Sequence, residues 1–330
     1  MSYHPVMTKQ PPLSAARIHD ARRIIDPIFL NTRLLRSDRL GFELLAKDET
    51  DNPIRSFKGR GTSYFLADIA ASHQPLVTAS AGNFGQGLAY NAKRHGRDLI
   101  VFASIHANPL KIEAMRRFGA EVVLEGEDFD GAKAAARAYA AGRQLQFVED
   151  GASAAIAEGA GTIAAELTEA EGVLDAVYVP LGNGALATGI GCWLKARSPG
   201  TRVVAVAALG APCMALSHAA GAVVETAEAL TIADGIAVRI PVPEAVEWLK
   251  DTIDEVVLVS DEQILAAMGF AWDSWQRVVE PAGAAGLAAI LAAAPALEGR
   301  RVATMLCGAN LTDGQTRAWL PGAASNLVAG

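Results

Sequence analysis

Short runs of β-branched and aliphatic residues alternate with longer alanine-rich amphipathic stretches along most of this chain. The runs that predict strands fall into two groups, residues 75–80, 98–104, 121–125 and 144–150, then 175–180, 201–208, 254–260 and 301–306. Helices are predicted between them, beginning near Gly85, Pro109, Asp130, Leu186, Pro212, Asp261 and Ala282. This alternation is typical of parallel sheets covered by helices.

We therefore predict an α/β fold with two open, mostly parallel twisted sheets, flanking helices and a cleft between two lobes. A chain of 330 residues has room for about two domains at ~150 residues each. The larger domain is predicted over residues 1–75 plus 151–330, and a smaller, mobile substrate domain over 76–150. Open α/β sheets bind ligands beyond the carboxyl ends of their strands, so functional segments should directly follow strands.

Composition excludes several classes of protein. The formal net charge of −7 argues against a nucleic-acid partner, which would need a basic face. Three scattered cysteines, Cys192, Cys213 and Cys307, are too few for a disulfide framework or a zinc cluster. The N-terminal segment contains prolines where a signal peptide has its apolar core, and no stretch suits a membrane helix. A cytoplasmic protein is predicted.

The segment NPIRSFKGRG, residues 52–61, carries a lysine followed by two glycines ahead of a helical run predicted over 62–71. A cation is disfavoured at a helix N-terminus, so Lys58 is unusual as a solubilising residue. It is either a surface residue on a turn or a cleft amine that forms a Schiff base with a carbonyl cofactor.

Two glycine-containing turns each follow a predicted strand and open a helix. Backbone N–H groups at such a place form an anion site, unless the glycines serve only tight packing. The first turn, in TASAGNFGQGLAY, offers its N–H groups to a carboxylate or phosphate and contains Ser80, Ala81, Gly82 and Asn83. The second, in VPLGNGALATGIG, could cradle a phosphate and contains Gly182, Asn183, Gly184, Ala185 and Leu186.

Two further segments lie near the end of the chain. Cys307 follows the last predicted strand in MLCGANLT. A catalytic thiol needs an activating base, and no histidine suggests one, so packing or a weak hydrogen bond to a ligand is favoured. Glu280 precedes a proline-initiated helix in EPAGAAGLAAI, which it could cap unless it faces the cleft.

In this order the segments resemble the fold type II pyridoxal-phosphate enzymes, whose fold is tryptophan synthase β-like, and specifically the threonine/serine dehydratase and serine racemase branch. RSFKGRG resembles the SFKxRG motif, in which Lys58, beside Phe57, corresponds to the lysine that carries the cofactor pyridoxal 5'-phosphate. SAGNFGQGLA resembles SxGNxxQG, so Asn83 corresponds to the residue that binds the cofactor's 3′-oxygen and the three residues before it to the substrate-carboxylate turn.

The resemblance continues along nearly the whole chain. GNGAL, residues 182–186, stands where the family usually has a tetraglycine loop that holds the phosphate. EGAGTIAAEL, TIADGIAV and EPAGAAGLAA also resemble family stretches in the expected order, which places Glu280 near the cofactor. Cys307 stands where the family commonly has a serine facing the pyridine nitrogen. A thiol is a weak donor, so the ring nitrogen is expected to stay largely unprotonated.

Differences from the family pattern limit which of its reactions this chain is expected to catalyse. Racemases of this branch have a serine where this chain has Ala81, which disfavours two-base racemisation and leaves elimination with Lys58 as the base. The stretch AALGAPC, residues 207–213, lacks the carboxylates that bind a divalent cation in racemase-like members, so no metal site is predicted. The chain ends soon after Cys307, and a C-terminal regulatory domain is not expected.

The resemblance thus implies a dehydratase (ammonia-lyase) that eliminates water from a β-hydroxy amino acid, threonine or serine by default, and a homodimer. A β-replacement enzyme like cysteine synthase would share Lys58, but that group typically has Thr-Ser where this chain has Ser80-Ala81. The sequence is also compatible with a racemase and with a non-enzymatic small-molecule-binding protein. Arg55 and Phe84 differ from the commonest family residues and could admit a phenylserine-like or hydroxyaspartate-like substrate, or reflect drift.

Overall fold

A computed structural model describes residues 12–323 of the chain. Residues 1–11, on which the signal-peptide prediction rests, and 324–330 lie outside the described residues. The described part forms a six-stranded sheet and a four-stranded sheet. Together with the flanking helices they confirm the predicted α/β fold.

The large sheet has the strand order β1-β2-β10-β7-β8-β9. Its strands are β1 (Arg33–Ser37), β2 (Glu43–Asp48), β7 (Ala176–Pro180), β8 (Arg202–Ala208), β9 (Glu255–Val259) and β10 (Arg301–Leu306). Strands β1 and β2 pair antiparallel, and the other neighbours pair parallel. Its helices are α1 (Ala15–Ala21), α2 (Lys58–Asp68), α6 (Ala154–Glu171), α7 (Ala185–Arg197), α8 (Cys213–Ala220), α9 (Pro243–Thr252), α10 (Asp261–Trp275), α11 (Pro281–Ala292) and α12 (Asp313–Trp319).

The small sheet is entirely parallel, with the order β5-β4-β3-β6. Its strands are β3 (Leu76–Ala79), β4 (Leu99–Ala103), β5 (Glu121–Leu124) and β6 (Gln146–Val148), and its helices α3 (Asn83–Arg94), α4 (Pro109–Arg117) and α5 (Phe129–Arg143). All its strands lie within residues 76–150, and the domain boundaries drawn there stay a prediction.

The central strands bury both faces in two separate cores, because side chains alternate across a strand. In β7, Val177 and Val179 join the core that contains α6, α7 and α9, whereas Ala176 and Tyr178 join the core with α10 and α11. Burial on both faces explains why these strands read as continuous apolar runs in the sequence.

The structure corrects some predicted elements. The sequence analysis missed β1, β2, α1, α6, α9 and α12, and it began α2 at residue 62 instead of Lys58. Strand β2 reads ELLAKD and is buried along most of its length. Its Lys47 and Asp48 are charged and buried, so neither alternation nor an apolar run marks it as a strand.

A fully buried arginine fastens α2 to the large sheet. The Arg60 guanidinium donates to both carboxylate oxygens of Glu49, at 2.8 Å each, and of Glu166, at 2.6 and 3.0 Å. The Lys47 ammonium donates to Glu166 at 2.7 Å. This buried charge cluster (Lys47, Glu49, Arg60, Glu166) therefore ties three elements of the large lobe at one point.

The charges in the cluster stabilise one another. Burial by itself raises the pKa of the Glu166 carboxyl, but the charges and hydrogen bonds of Arg60 and Lys47 outweigh it and lower that pKa to about 2. Removing one partner from such a cluster leaves uncompensated charge in the core, which is strongly destabilising.

We predict that Arg60→Met lowers the free energy of unfolding of the apoprotein by about 3–5 kcal/mol, because two buried carboxylates lose their partner. Urea denaturation measures this change. The control is Arg94→Met, whose side chain is 56% exposed in its ion pair with Asp26 and should cost no more than about 1 kcal/mol. Equal losses for the two variants would contradict a central role of the cluster.

Among residues 12–323, no helix has the length and apolarity to cross a bilayer.

Candidate active site

Lys58 lies at the start of α2, and the three residues before it are held by the end of β10. The Phe57 N–H donates to the Cys307 carbonyl at 3.0 Å, and the Ala309 N–H donates to the Arg55 carbonyl at 3.0 Å. Arg55 has a left-handed φ of 51°, which turns the chain into the helix. These bonds place the Lys58 side chain beside the Cys307 segment.

A cavity of about 500 Å³ opens here between the two sheets. The structure brings together around it every residue that the sequence analysis singled out for the site, namely Phe57, Lys58, Ser80, Ala81, Gly82, Asn83, Gly182, Asn183, Gly184, Ala185, Leu186, Glu280 and Cys307. Phe84 also lines the cavity, whereas Arg55 is exposed outside it. The idea that Arg55 shapes the pocket is therefore wrong.

The turn from β3 into α3 presents unpaired N–H groups to the cavity. The Ser80 hydroxyl accepts from the Gly82 N–H at 3.2 Å and from the Gly85 N–H at 2.9 Å. Within the described chain no hydrogen bond uses the N–H groups of Ala81 and Asn83. A turn braced by its own serine, with free N–H groups at a helix start, suits a carboxylate.

The turn from β7 into α7 presents a second run of free N–H groups to the cavity. Backbone N–H groups of residues 183–186 have no hydrogen-bond partner in the described part of the chain. Gly184 has a left-handed φ of 97°. A Cβ on Gly182 would lie 2.7 Å from the Gly235 carbonyl oxygen. A side chain at position 182 would therefore block the approach of a ligand to these N–H groups. Four such N–H groups at a helix N-terminus match a phosphate.

The Lys58 ammonium forms an ion pair with Asp150, and the two side chains are only 15% and 12% exposed. Its Nζ also lies 4.7 Å from the centroid of the Phe57 ring. The cleft position is the second of the two alternatives that the sequence left open for Lys58, and a carboxylate is its partner there. Asp150 was missed, although its position directly after β6 (Gln146–Val148) is the signal that ligand-binding residues follow parallel strands.

Glu280 faces the cleft, and its side chain does not cap α11. Its carboxylate accepts from the Asn83 side-chain amide at 2.5 Å and from the Asn310 N–H at 3.2 Å. The side-chain amide of Asn310, which the sequence analysis did not single out, also donates to the side-chain oxygen Oδ1 of Asn83 at 2.8 Å. This network fixes the orientation of Asn83 at the cavity wall.

Burial, followed by the negative charge of Asp234, raises the pKa of Glu280 to about 7. Burial also raises the pKa of the Cys307 thiol well above its ordinary value. A thiol in this state is a poor nucleophile, which agrees with the sequence-based interpretation of Cys307 as a packing or ligand-facing residue.

Two ion pairs join the lobes at the mouth of the cavity. Lys111 of α4 binds Asp234, and Arg239 binds Asp130 of α5. Within residues 12–323 no cluster of three or more His, Cys, Asp or Glu side chains could hold a metal ion. The predicted absence of a metal stays a prediction.

A half-buried lysine that shares one cavity with two runs of free backbone N–H groups indicates a class of protein, the enzymes that bind a phosphorylated aldehyde through a lysine. Residues 25–308 match the family model described as "Pyridoxal-phosphate dependent enzyme". The chain belongs to this family, so the predicted cofactor is confirmed. The free N–H groups, the glycine that leaves room for a ligand and the accessible Lys58 fit this cofactor.

The chain is similar to known dehydratases and racemases. It is 33% identical over 279 residues to the biosynthetic L-threonine dehydratase of Pasteurella multocida, with 83% of this chain and 54% of that protein covered. The chain thus spans about half the length of that curated relative. The processed threonine deaminase isoform 2 of Solanum lycopersicum superposes with a TM-score of 0.85 at 26% identity, covering 97% of this chain and 98% of that one.

Maize serine racemase superposes equally well, with a TM-score of 0.85 at 25% identity, covering 96% of this chain and 100% of that one. Because the backbone resembles a deaminase and a racemase to the same degree, the side chains of the site have to discriminate between the two reactions.

We predict that Glu280→Gln changes the pH dependence of stability. In the folded apoprotein the Glu280 carboxyl keeps its proton to about pH 7, whereas its ordinary pKa is 4.5. Folding therefore loses about 3 kcal/mol as the pH rises through this interval. Urea unfolding at pH 4.5 and 8 should show the stability of the variant, relative to the parent, improving by about that amount. A constant difference would contradict the prediction.

Proposed function

We propose that this protein eliminates water from a β-hydroxy amino acid, threonine or serine by default, to give a 2-oxo acid and ammonia. The observation that carries the proposal is the placement of Lys58 in one cavity between two separate anion sites, one at the start of α3 and one at the start of α7. The second anion site suits the cofactor's phosphate, which leaves the first for an amino-acid carboxylate.

The chain's own residues have defined tasks in this proposal. The N–H groups of residues 183–186 hold the cofactor phosphate, and Lys58 attaches to its aldehyde. The turn from Ser80 to Asn83 holds the substrate carboxylate and so fixes the Cα–H bond. The Asn83 amide has a second N–H besides the one given to Glu280, and this second one binds the cofactor's 3′-oxygen.

Bound pyridoxal phosphate supplies the conjugated system that takes up negative charge developing at Cα. Once released by the substrate's amino group, the Lys58 amine accepts the Cα proton as general base. Phe57 and Phe84 lie 4.7 and 5.8 Å from the Lys58 Nζ, measured to their ring centroids, and shield the amine from water. Cys307 lines the cavity, and because a thiol is a weak donor it would leave the ring nitrogen of the bound cofactor largely unprotonated, which would favour prompt elimination.

The side chain at position 81 favours elimination over racemisation. Racemisation by two bases needs a proton donor on the side of the substrate opposite Lys58. Ala81 lines the cavity within the carboxylate turn and carries no titratable group. Ala81 is therefore the residue that separates the proposed elimination from two-base racemisation.

We further propose that the protein is a cytoplasmic homodimer and that residues 76–150 move as a unit over the substrate. Cys192, Cys213 and Cys307 are free thiols, which suits a reducing compartment. Light scattering of the purified holoenzyme tests the dimer, and a monomer would overturn this part of the proposal.

We predict that Lys58→Ala abolishes covalent cofactor binding and lowers elimination by at least about 10³-fold, because the general base is lost. Borohydride reduction followed by peptide mass analysis should locate the cofactor on Lys58 in the parent protein. The matched control is Lys93→Ala, an exposed lysine on α3, which should keep both properties. Label on another peptide would contradict the proposed role of Lys58.

We predict that 2-oxo acid is released from threonine or serine in a panel that also contains 3-phenylserine and 3-hydroxyaspartate. The 500 Å³ cavity is large enough for all four amino acids, so the panel measures which β-substituent the protein prefers. Serine assayed with and without sulfide separates elimination from β-replacement. Release of a sulfur-containing amino acid, with no 2-oxo acid, would overturn the dehydratase proposal.

A further inference from the structure

Elimination of water needs an acid as well as a base. Hydroxide is a poor leaving group, and a positioned acid that protonates it accelerates its departure. Glu280 uses both carboxylate oxygens to accept from Asn83 and Asn310. Burial raises the pKa of Cys307, which weakens it as an acid. Neither residue is therefore suited to the task.

The other carboxylates that line the cavity are engaged away from Lys58. Asp128 caps α5 by accepting from the Gly131 N–H at 2.8 Å. Ion pairs occupy the remaining three, in the pairings Asp130 with Arg239, Asp234 with Lys111, and Glu149 with Lys133 and Arg137. Within the described residues, Asp150 is the cavity-lining carboxylate that contacts the base itself.

The two oxygens of Asp150 have different surroundings. The Oδ2 atom pairs with the Lys58 Nζ, whereas the Oδ1 atom is buried and has no hydrogen-bond partner in the described chain. A buried carboxylate oxygen without a partner is costly, and one beside a cavity points to a ligand that completes it. Asp150 itself lines the cavity.

The position of Asp150 is fixed by its neighbours. It follows β6, and Gly151 after it has a left-handed φ of 91°. A Cβ on Gly151 would lie 3.1 Å from the Asn183 carbonyl carbon, so the loop packs directly on the phosphate cradle. Asp150 is thus held between the cradle and Lys58.

We propose that Asp150 is a second catalytic residue, which passes the proton collected by Lys58 to the departing β-hydroxyl. This inference rests on the proposed elimination and assigns its acid. The acid also sets the preferred class of substrate. It assists a leaving group that must gain a proton, such as a hydroxyl, and gives no assistance to a group that leaves as a stable anion.

Lys58 and Asp150 together account for every proton that the step moves. The Cα–H bond breaks, its proton goes to the Lys58 amine, and its electron pair forms the Cα–Cβ double bond. The Lys58 ammonium passes one proton to the paired Asp150 carboxylate, which gives it to the departing oxygen. The Cβ–O bond breaks with its electron pair on that oxygen, which leaves as water, so Lys58 ends as the amine and Asp150 as the carboxylate with which they began.

The test compares Asp150→Asn with Glu127→Gln, which removes the same charge from a side chain that is 86% exposed and outside the cavity lining. For serine and threonine, Asp150→Asn should lower elimination by about 10²–10⁴-fold. For 3-chloroalanine, whose chloride leaves without a proton, it should stay within about tenfold of the parent. Glu127→Gln should stay close to the parent with both kinds of substrate.

Two readouts do not depend on turnover. Titration of apo Asp150→Asn with pyridoxal phosphate, followed by absorbance, should give the parent's binding constant and covalent attachment at Lys58. Exchange of the Cα hydrogen of alanine in deuterium oxide, followed by NMR, should continue at the parent's rate because Lys58 still acts as base. A variant that binds no cofactor would instead show that Asp150 is structural, and would overturn the proposal.

The remaining outcomes are distinguishable. Equal losses with hydroxyl and chloride substrates, or an equal loss in Glu127→Gln, would overturn the role of Asp150 while leaving the elimination intact. A parent protein that eliminates neither leaving group would refute the proposed function itself. Recovery of serine elimination in Asp150→Glu, which restores an acid, would support the proton-transfer role.

Discussion

The ion pairs between Arg60 and its two glutamates are the constraint on which the site depends. Lys58 is two residues before Arg60 on α2 (Lys58–Asp68), and a short helix alone would not hold its first residue in place. Because Arg60 is 0% exposed and bound to Glu49 and Glu166, the helix cannot rotate or slide without exposing a buried charge. The hydrogen bond from Phe57 to Cys307 fixes the other end of the same short segment.

At the mouth of the cavity the two lobes meet through much weaker contacts. The ion pairs from Lys111 to Asp234 and from Arg239 to Asp130 have partly exposed members, and such pairs contribute at most about 1 kcal/mol each. Lys58 lies on a helix of the large lobe, whereas the turn at the start of α3 belongs to the small lobe.

Much of the site could be predicted from the sequence because its parts are local. A glycine-containing turn between a strand and a helix presents backbone N–H groups, and this depends only on neighbouring residues. The turns at 80–83 and 182–186 could therefore be identified from short motifs. Asp150 and Asn310 could not be found in this way, since their partners Lys58 and Asn83 are remote in sequence. Strand β2 was missed for a similar reason, because its charged residues are compensated only by side chains that are remote in sequence.

The sequence by itself determined the class of fold, the two anion-binding turns and the lysine that meets them, since periodicity, glycines and a short motif are properties of neighbouring residues. Only the tertiary structure decided which charges face each other. The Lys58–Asp150 pair, the buried Arg60 cluster and the nearly neutral Glu280 all result from burial and long-range contacts, and burial is what separates a solvated surface charge from a functional or structural one.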